Sequence, residues 1–175
     1  FFTEKIKEIC GATQSTRKQM EALIKNNIPL LSKIENQYGS IDSCYKKYID
    51  EDSTMKRLIE KLSSSESFLK MNQMGEALNA EYLRNVGYDI AKPDRHIRRI
   101  LGSKILGCSV WETVPIYDAM DIVQSIAESM GKHCAEIDYL LWMYCANGYG
   151  EICTIRNPKC DICVIREFCI QKKEG

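Results

Sequence analysis

Apolar residues recur along most of the chain with the spacing of an α-helix. Between residues 55 and 62, four of them stand at positions i, i+3, i+4 and i+7, on one face of a helix: Met55, Leu58, Ile59 and Leu62. Similar spacing predicts further helices around residues 15–26, 29–37, 41–50, 78–86, 97–105, 115–130 and 137–146. No segment alternates apolar and polar residues between turn residues, as a strand would. The pattern therefore predicts an all-α protein.

Two of these segments carry more specific predictions. Leu78, Tyr82 and Val86 form the apolar stripe of one helix, and Gly87 follows it in the position of a C-terminal cap. The segment 137–146 is apolar on nearly every side. We expect this segment to form a helix that is buried between other helices.

Composition and charge exclude several classes of protein. Of the 175 residues, 45% are hydrophobic and 27% are charged, which is typical of a folded globular chain. No apolar run is long enough to span a bilayer and no signal peptide is visible, so we expect an intracellular protein that does not enter membranes. The first residue is Phe1 rather than Met, so we expect that a preceding segment was removed. The 24 basic residues balance the 24 acidic ones, so any nucleic-acid surface must be a local patch.

The nine cysteines fall into two groups. Four are isolated and are expected to be small buried hydrophobic residues: Cys10, Cys44, Cys108 and Cys134. The other five are crowded towards the C-terminus: Cys145, Cys153, Cys160, Cys163 and Cys169. An odd number with this uneven spacing argues against a disulfide framework. It favours a metal site in a reducing compartment.

The last four cysteines follow the pattern Cys153-x6-Cys160-x2-Cys163-x5-Cys169. Four thiolates in so short a segment can hold one metal centre. Structural zinc sites normally use two short Cys-x2-4-Cys pairs, whereas only Cys160 and Cys163 are that close here. The wider loops suit a cubane iron–sulfur cluster. Zinc remains an alternative on chemistry alone.

This cysteine spacing resembles the [4Fe-4S] signature of the endonuclease III family of DNA glycosylases. Three more segments resemble that family: the helix before the cluster at 137–148, the cluster loop at 155–160 and the catalytic-aspartate segment at 90–99. The likeness covers about residues 70–172. It implies a two-lobed helix-hairpin-helix fold, with a helical lobe over 1–88 that holds the hairpin and a second lobe over 89–175. The cluster loop would occupy 153–169 of the second lobe.

The resemblance also implies where DNA would be contacted. The family's hairpin reads Leu-Pro-Gly-hydrophobic-Gly and binds a phosphate of the DNA backbone. The matching stretch is 71–75, in which Gln73 replaces the first glycine and Gly75 retains the second. The implied DNA contacts lie in the hairpin, in the helix after the aspartate and in the cluster loop: Gln73, Met74, Gly75, Arg95, Arg99, Arg156 and Lys159.

By the same resemblance, Asp94 is the catalytic carboxylate. Taken alone, an aspartate after Pro93 at a helix start is an N-cap, and one residue can fill both roles. Loss of a base builds positive charge on the deoxyribose C1′, after the nucleotide has left the stack. A carboxylate about 4 Å away, at an effective dielectric near 20, stabilises that charge by ~4 kcal/mol, or about a thousandfold in rate.

The family's bifunctional members carry a nucleophilic lysine two residues beyond the second hairpin glycine, where this chain has Ala77. The resemblance therefore implies a monofunctional glycosylase that uses water and acts, as a monomer, on double-stranded DNA with a damaged or mismatched base. Lys70 and Lys92 are alternative nucleophiles for a lyase. A second alternative is an iron–sulfur DNA-binding protein without catalysis. The residues leave the excised base open.

Overall fold

Helices make up most of the residues that the computed structural model describes, which are 16–52 and 55–173. No strand occurs among them, which agrees with the predicted all-α class. None of the helices in these two ranges is long and apolar enough to cross a bilayer. The chain divides into two compact units, Phe1–Asn79 and Ala80–Gly175, and the division falls within one helix. The boundary expected after residue 88 stays a prediction.

In the first unit, the described helices follow one another closely: α1 (Thr16–Ala22), α2 (Ile28–Tyr38), α3 (Ile41–Asp52) and α4 (Met55–Ser63). Helix α2 packs against α3, and α3 packs against α4. The stripe predicted for α4 is confirmed, since Leu58, Ile59 and Leu62 are fully buried. Other buried residues of this unit include Ile34, Cys44, Tyr45, Leu69 and Met71.

A π-helical turn at Leu23–Asn27 joins α1 to α2, so the chain is helical without a break from Thr16 to Tyr38. In this turn the Ile28 N–H donates to the Leu23 carbonyl, five residues back. Pro29 gives the physical reason: it has no N–H to donate to the carbonyl four residues earlier, and its ring crowds that carbonyl. The two helices predicted at 15–26 and 29–37 are thus one continuous helix, whose residue 15 lies outside the described residues.

Helix α5 (Glu76–Asn85) turns a different face inward from the one predicted. Leu78 and Val86 are 41% and 55% exposed, whereas Asn79, Ala80 and Leu83 are fully buried. The predicted stripe is therefore wrong, and the inward face is the one whose Asn79 amide donates to the Ser63 hydroxyl at 2.9 Å. Gly87 does follow the helix with a φ of +105°.

The second unit contains α6 (Arg95–Ile100), α7 (Ile116–Met130), α8 (Cys134–Cys145) and α9 (Ile170–Lys173), with short 3-10 turns at Cys160–Ile162 and Arg166–Phe168. Helix α8 packs against both α6 and α7. The core of the second unit is built from the inner faces of these helices and the segments next to them: Ala91, Ile97, Ile100, Leu101, Ile105, Val114, Ala119, Val123, Ala127, Cys134, Ile137 and Cys145.

Two predictions about burial in this unit are wrong. Helix α8 has an exposed side, because Tyr139 and Leu140 are 55% and 61% exposed. Cys108 is exposed, because it lies in the irregular segment after α6 rather than in a helix. Cys44 and Cys134 are buried as expected. Cys10 lies outside the described residues.

Candidate metal centre and nucleic-acid interface

The four C-terminal cysteines line one cavity of about 100 Å³, several times the space that one water molecule requires. Arg99, Ile105 and Ile165 contribute to its wall. The cysteines are free thiols, and they reach the cavity from different parts of the segment: Cys153, Cys160, Cys163 and Cys169. All four cysteines predicted as metal ligands thus line one cavity, and their role as ligands stays a prediction.

Hydrogen bonds between backbone groups three residues apart shape the loop that carries these thiols. Cys163 and Cys169 each follow a 3-10 turn, and their N–H groups donate to the carbonyls of Cys160 and Arg166 at 3.3 and 3.1 Å. The N–H of Ile170 then donates to a carbonyl of the segment after α6, at 3.0 Å. This bond ties the end of the loop to the core of the unit.

Polar groups contact two of the sulfurs that line the cavity. The Cys145 thiol donates a hydrogen bond to Cys153, and with the Arg99 guanidinium it lowers the pKa of Cys153 to about 6, against the opposing effect of burial. Arg99 also donates to the Cys153 carbonyl, and its Nη1 lies 3.6 Å from the Cys153 sulfur. The Tyr144 hydroxyl donates to the Cys163 sulfur at 3.0 Å.

The chemistry of the donor set suits a thiolate-bound metal centre, since cysteine thiolates bind both zinc and iron–sulfur clusters. All four thiols line the one cavity. In residues 16–52 and 55–173, no three His, Cys, Asp or Glu side chains are arranged to hold a single metal ion.

Asp94 is the N-cap of α6. Its Oδ1 accepts hydrogen bonds from the N–H groups of His96 and Ile97, at 2.8 and 3.1 Å. The expected capping role is therefore confirmed, and the side chain is half-buried and fixed in orientation. Its catalytic role stays a prediction.

A second carboxylate near Asp94 was missed from the sequence. The Asp138 side chain is 3% exposed, and the Arg84 guanidinium donates a hydrogen bond to it. Burial raises the pKa of Asp138 to about 7, and Asp94 adds to the rise, whereas Arg84 and Lys92 oppose it. The available indication was that Asp138 is the one charged residue in the apolar segment 137–146.

Three of the predicted DNA contacts line a single groove of about 660 Å³ in the second unit: Arg95, Arg156 and Lys159. His96 also lines it, and burial lowers the pKa of this imidazole. The Lys159 ammonium lies 3.6 Å from Glu151, whose carboxylate lies at the groove as well. The groove combines fixed positive charge with amide and imidazole hydrogen-bonding groups.

Arg98 and Arg99 serve the protein's own structure. Arg98 Nε donates to the Val114 carbonyl at 2.6 Å. Arg99 lines the cysteine cavity, where its guanidinium donates hydrogen bonds to the sulfur and the carbonyl of Cys153. Arg95 and Arg99 thus line different cavities, and the DNA contact predicted for Arg99 stays a prediction.

The stretch 71–75, called the hairpin stretch after the motif it was matched to, forms a tight turn although it has Gln73 in place of a glycine. The Met74 N–H donates to the Met71 carbonyl at 3.2 Å, and Gln73 has a φ of +61°. This left-handed conformation favours glycine and costs another residue about 1 kcal/mol. The buried Asn27 supports the turn, since its side chain accepts from the Asn72 N–H at 2.8 Å and donates to the Asn72 carbonyl at 3.1 Å.

The lysines considered as nucleophiles are both engaged. The Lys70 ammonium donates to the carbonyls of Ser63 and Met74, at 2.6 and 3.0 Å. The Lys92 ammonium lies 3.0 Å from a carboxylate oxygen of Glu81. Neither amine is presented as a free nucleophile.

Comparison with known protein families bears on the cysteine segment. The family model of the iron–sulfur binding domain of endonuclease III matches residues 153–169, which begin and end at the outermost cavity cysteines. This segment is thus similar to an endonuclease III iron–sulfur domain and supports an iron–sulfur protein with a DNA glycosylase-like or DNA-binding role. Comparisons with curated proteins and with solved structures gave no match.

Proposed function

We propose that this protein is a DNA N-glycosylase of the helix-hairpin-helix type that carries a [4Fe-4S] cluster and removes a damaged or mismatched base. The observation that carries the proposal is the segment 153–169. It matches the iron–sulfur domain, its four thiols line one cavity, and its Arg156 and Lys159 line a basic groove. One short loop thus combines a cluster site with groups that suit DNA phosphates.

Cys153, Cys160, Cys163 and Cys169 would hold the cluster. When bound, the cluster supplies four fixed links within a segment that has few buried apolar residues of its own: Ile155, Ile162, Val164 and Phe168 are all more than 60% exposed. Such a segment depends on the metal centre for its order. Arg99 keeps Cys153 in place, and in this proposal it does not contact DNA.

Asp94 is the proposed catalytic carboxylate. The two N–H groups at the start of α6 fix its position, so little reorganisation is needed when charge develops on the sugar. Asp94 then stabilises the positive C1′ and orients the attacking water. Because Ala77 offers no nucleophile and the ammonium groups of Lys70 and Lys92 are engaged, water is the proposed nucleophile.

The second candidate is a DNA-binding protein that has the cluster but no catalysis. It is favoured by Gln73 and Ala77, which replace the hairpin glycine and the lysine of the family pattern. It needs the same cluster and the same basic groove. The two candidates therefore differ only in whether a base is released.

The deciding experiment is a panel of duplex oligonucleotides, each with one oxidised pyrimidine, alkylated purine, deaminated base or mismatch. Protein purified without air is assayed for iron, for sulfide and for strand breaks with and without alkali. We expect release of at least one base with breaks only after alkali, and an about thousandfold slower release by Asp94→Asn with DNA binding retained.

Two results would contradict parts of the proposal. DNA binding without base release from any duplex supports the non-catalytic candidate. A covalent protein–DNA adduct after borohydride reduction shows that an amine attacks C1′ and that water is not the nucleophile.

A further inference from the structure

A second basic groove, of about 830 Å³, lies in the first unit. One wall is the hairpin stretch from Asn72 to Gly75, and the other wall is α1 with the π-helical turn. None of the residues from α1 or the turn has a role in the function proposed above. This wall is the subject of the inference.

The wall consists of one face of α1 and the start of the π-helical turn. Lys18, Glu21 and Ala22 stand at positions i, i+3 and i+4 of α1, Lys25 follows in the turn, and all four line the groove. Along the helix axis, seven residues separate the two lysines by about 10 Å. That separation exceeds the size of a single phosphate ion and equals the rise of about three nucleotides along a DNA strand.

The charge on this face is mainly positive, and it is exposed to solvent. Lys18 and Lys25 are exposed, and neither forms an ion pair with another residue in the described part of the chain. Glu21 is already neutralised by Arg17, whose Nε lies 3.1 Å from a Glu21 oxygen. Lys70 adds a third positive charge at the hairpin side of the groove.

The two walls are fixed to each other. Asn27, at the end of the π-helical turn, is 3% exposed and bonds to both backbone groups of Asn72. Gly75 leaves the hairpin surface open, because no atom lies within 4 Å of the place where its Cβ would be. An extended, negatively charged chain can therefore lie along the groove between the lysines and the hairpin.

We propose that this groove binds the sugar–phosphate backbone of duplex DNA, with Lys18 and Lys25 contacting phosphates next to the one at the hairpin. The inference rests on the proposed function only in taking DNA as the partner. It adds two binding residues and extends the DNA contact from the hairpin to the first helix. Contacts of this kind bind without selecting the base sequence.

The test compares the double variant Lys18→Gln/Lys25→Gln with the control Lys33→Gln/Lys46→Gln, which removes the same charge from exposed lysines outside the groove. Each purified, cluster-containing chain is titrated with an undamaged duplex between 50 and 200 mM salt. The slope of log K against log salt is negative, and each lost phosphate contact reduces its magnitude by about 0.9. For the groove variant we expect a slope about 1.8 less negative and binding at least tenfold weaker, and for the control we expect parental values.

Equal effects of the two double variants, or no effect of the groove variant, would overturn the proposed groove, as would a parent protein that does not bind duplex DNA. Base release from the lesion panel is scored separately. If the parent releases a base and the groove variant binds DNA as the parent does, the groove is refuted and the glycosylase proposal stands. If binding depends on the two lysines but no base is released, the groove stands and the glycosylase proposal is refuted.

Discussion

The buried Asp138 predicts a particular dependence of stability on pH. Its side chain is 3% exposed, and burial raises its pKa from 3.8 to about 7. Between these values the folded protein holds a proton that the unfolded chain has released. The free energy of unfolding therefore falls as the pH rises from about 4 to about 7.

The size of the effect follows from the shift. One pKa unit corresponds to about 1.4 kcal/mol, so the contribution of Asp138 falls by about 2–3 kcal/mol between pH 5 and pH 8. Asp138→Asn keeps the shape of the side chain and an oxygen that can accept from Arg84. Because the amide has no proton to release, this part of the pH dependence disappears in the variant.

The measurement is urea unfolding of the parent and of Asp138→Asn at pH 5 and pH 8, at constant salt. We expect the parent to lose about 2–3 kcal/mol more than the variant over this interval. Asp118→Asn, on the exposed side of α7, is the matched control for the loss of one carboxylate. Parallel losses in the parent and in Asp138→Asn would refute the conclusion that burial holds the proton.

Three further predictions concern the cap, the cluster and a tight contact. Asp94→Ala removes the N-cap and is expected to lower stability by about 1 kcal/mol and the Tm by about 2–4 °C, whereas Asp94→Asn retains both within error. Cys153→Ser is expected to lose most of the bound iron and sulfide, whereas the exposed Cys108→Ser retains them; equal contents would place the cluster elsewhere. Gly102→Ala brings a Cβ within 2.0 Å of the Glu112 carbonyl oxygen, and we expect a loss of about 1–3 kcal/mol in thermal or urea unfolding.

The helices could be predicted because their pattern is local. The spacing of Leu58, Ile59 and Leu62 identified the buried face of α4, and the position of Asp94 after Pro93 identified an N-cap. The four thiols of the cavity could be named because a cluster site in one short segment leaves its spacing in the sequence. These features depend on residues that lie close together along the chain.

The contacts that complete the site join residues far apart in sequence. Arg99 reaches Cys153, and Arg84 reaches Asp138, each over 54 residues. No periodicity encodes such pairs, so neither the contact of Arg99 with Cys153 nor the burial of Asp138 could be predicted. The prediction that the segment 137–146 is buried on all sides failed for a similar reason. The neighbouring helices decide which sides are covered, and they leave Tyr139 exposed.

The π-helical turn at Leu23–Asn27 also sets an angular phase between the two halves of the first helix. Each residue of a regular α-helix advances the chain by about 100° around its axis. Deleting one residue from the turn would restore the regular winding and rotate the segment before it by about that angle. Lys18 would then leave the groove, while Asn27 kept its bonds to the hairpin stretch. The position of Lys18 in the groove therefore depends on the number of residues in this turn.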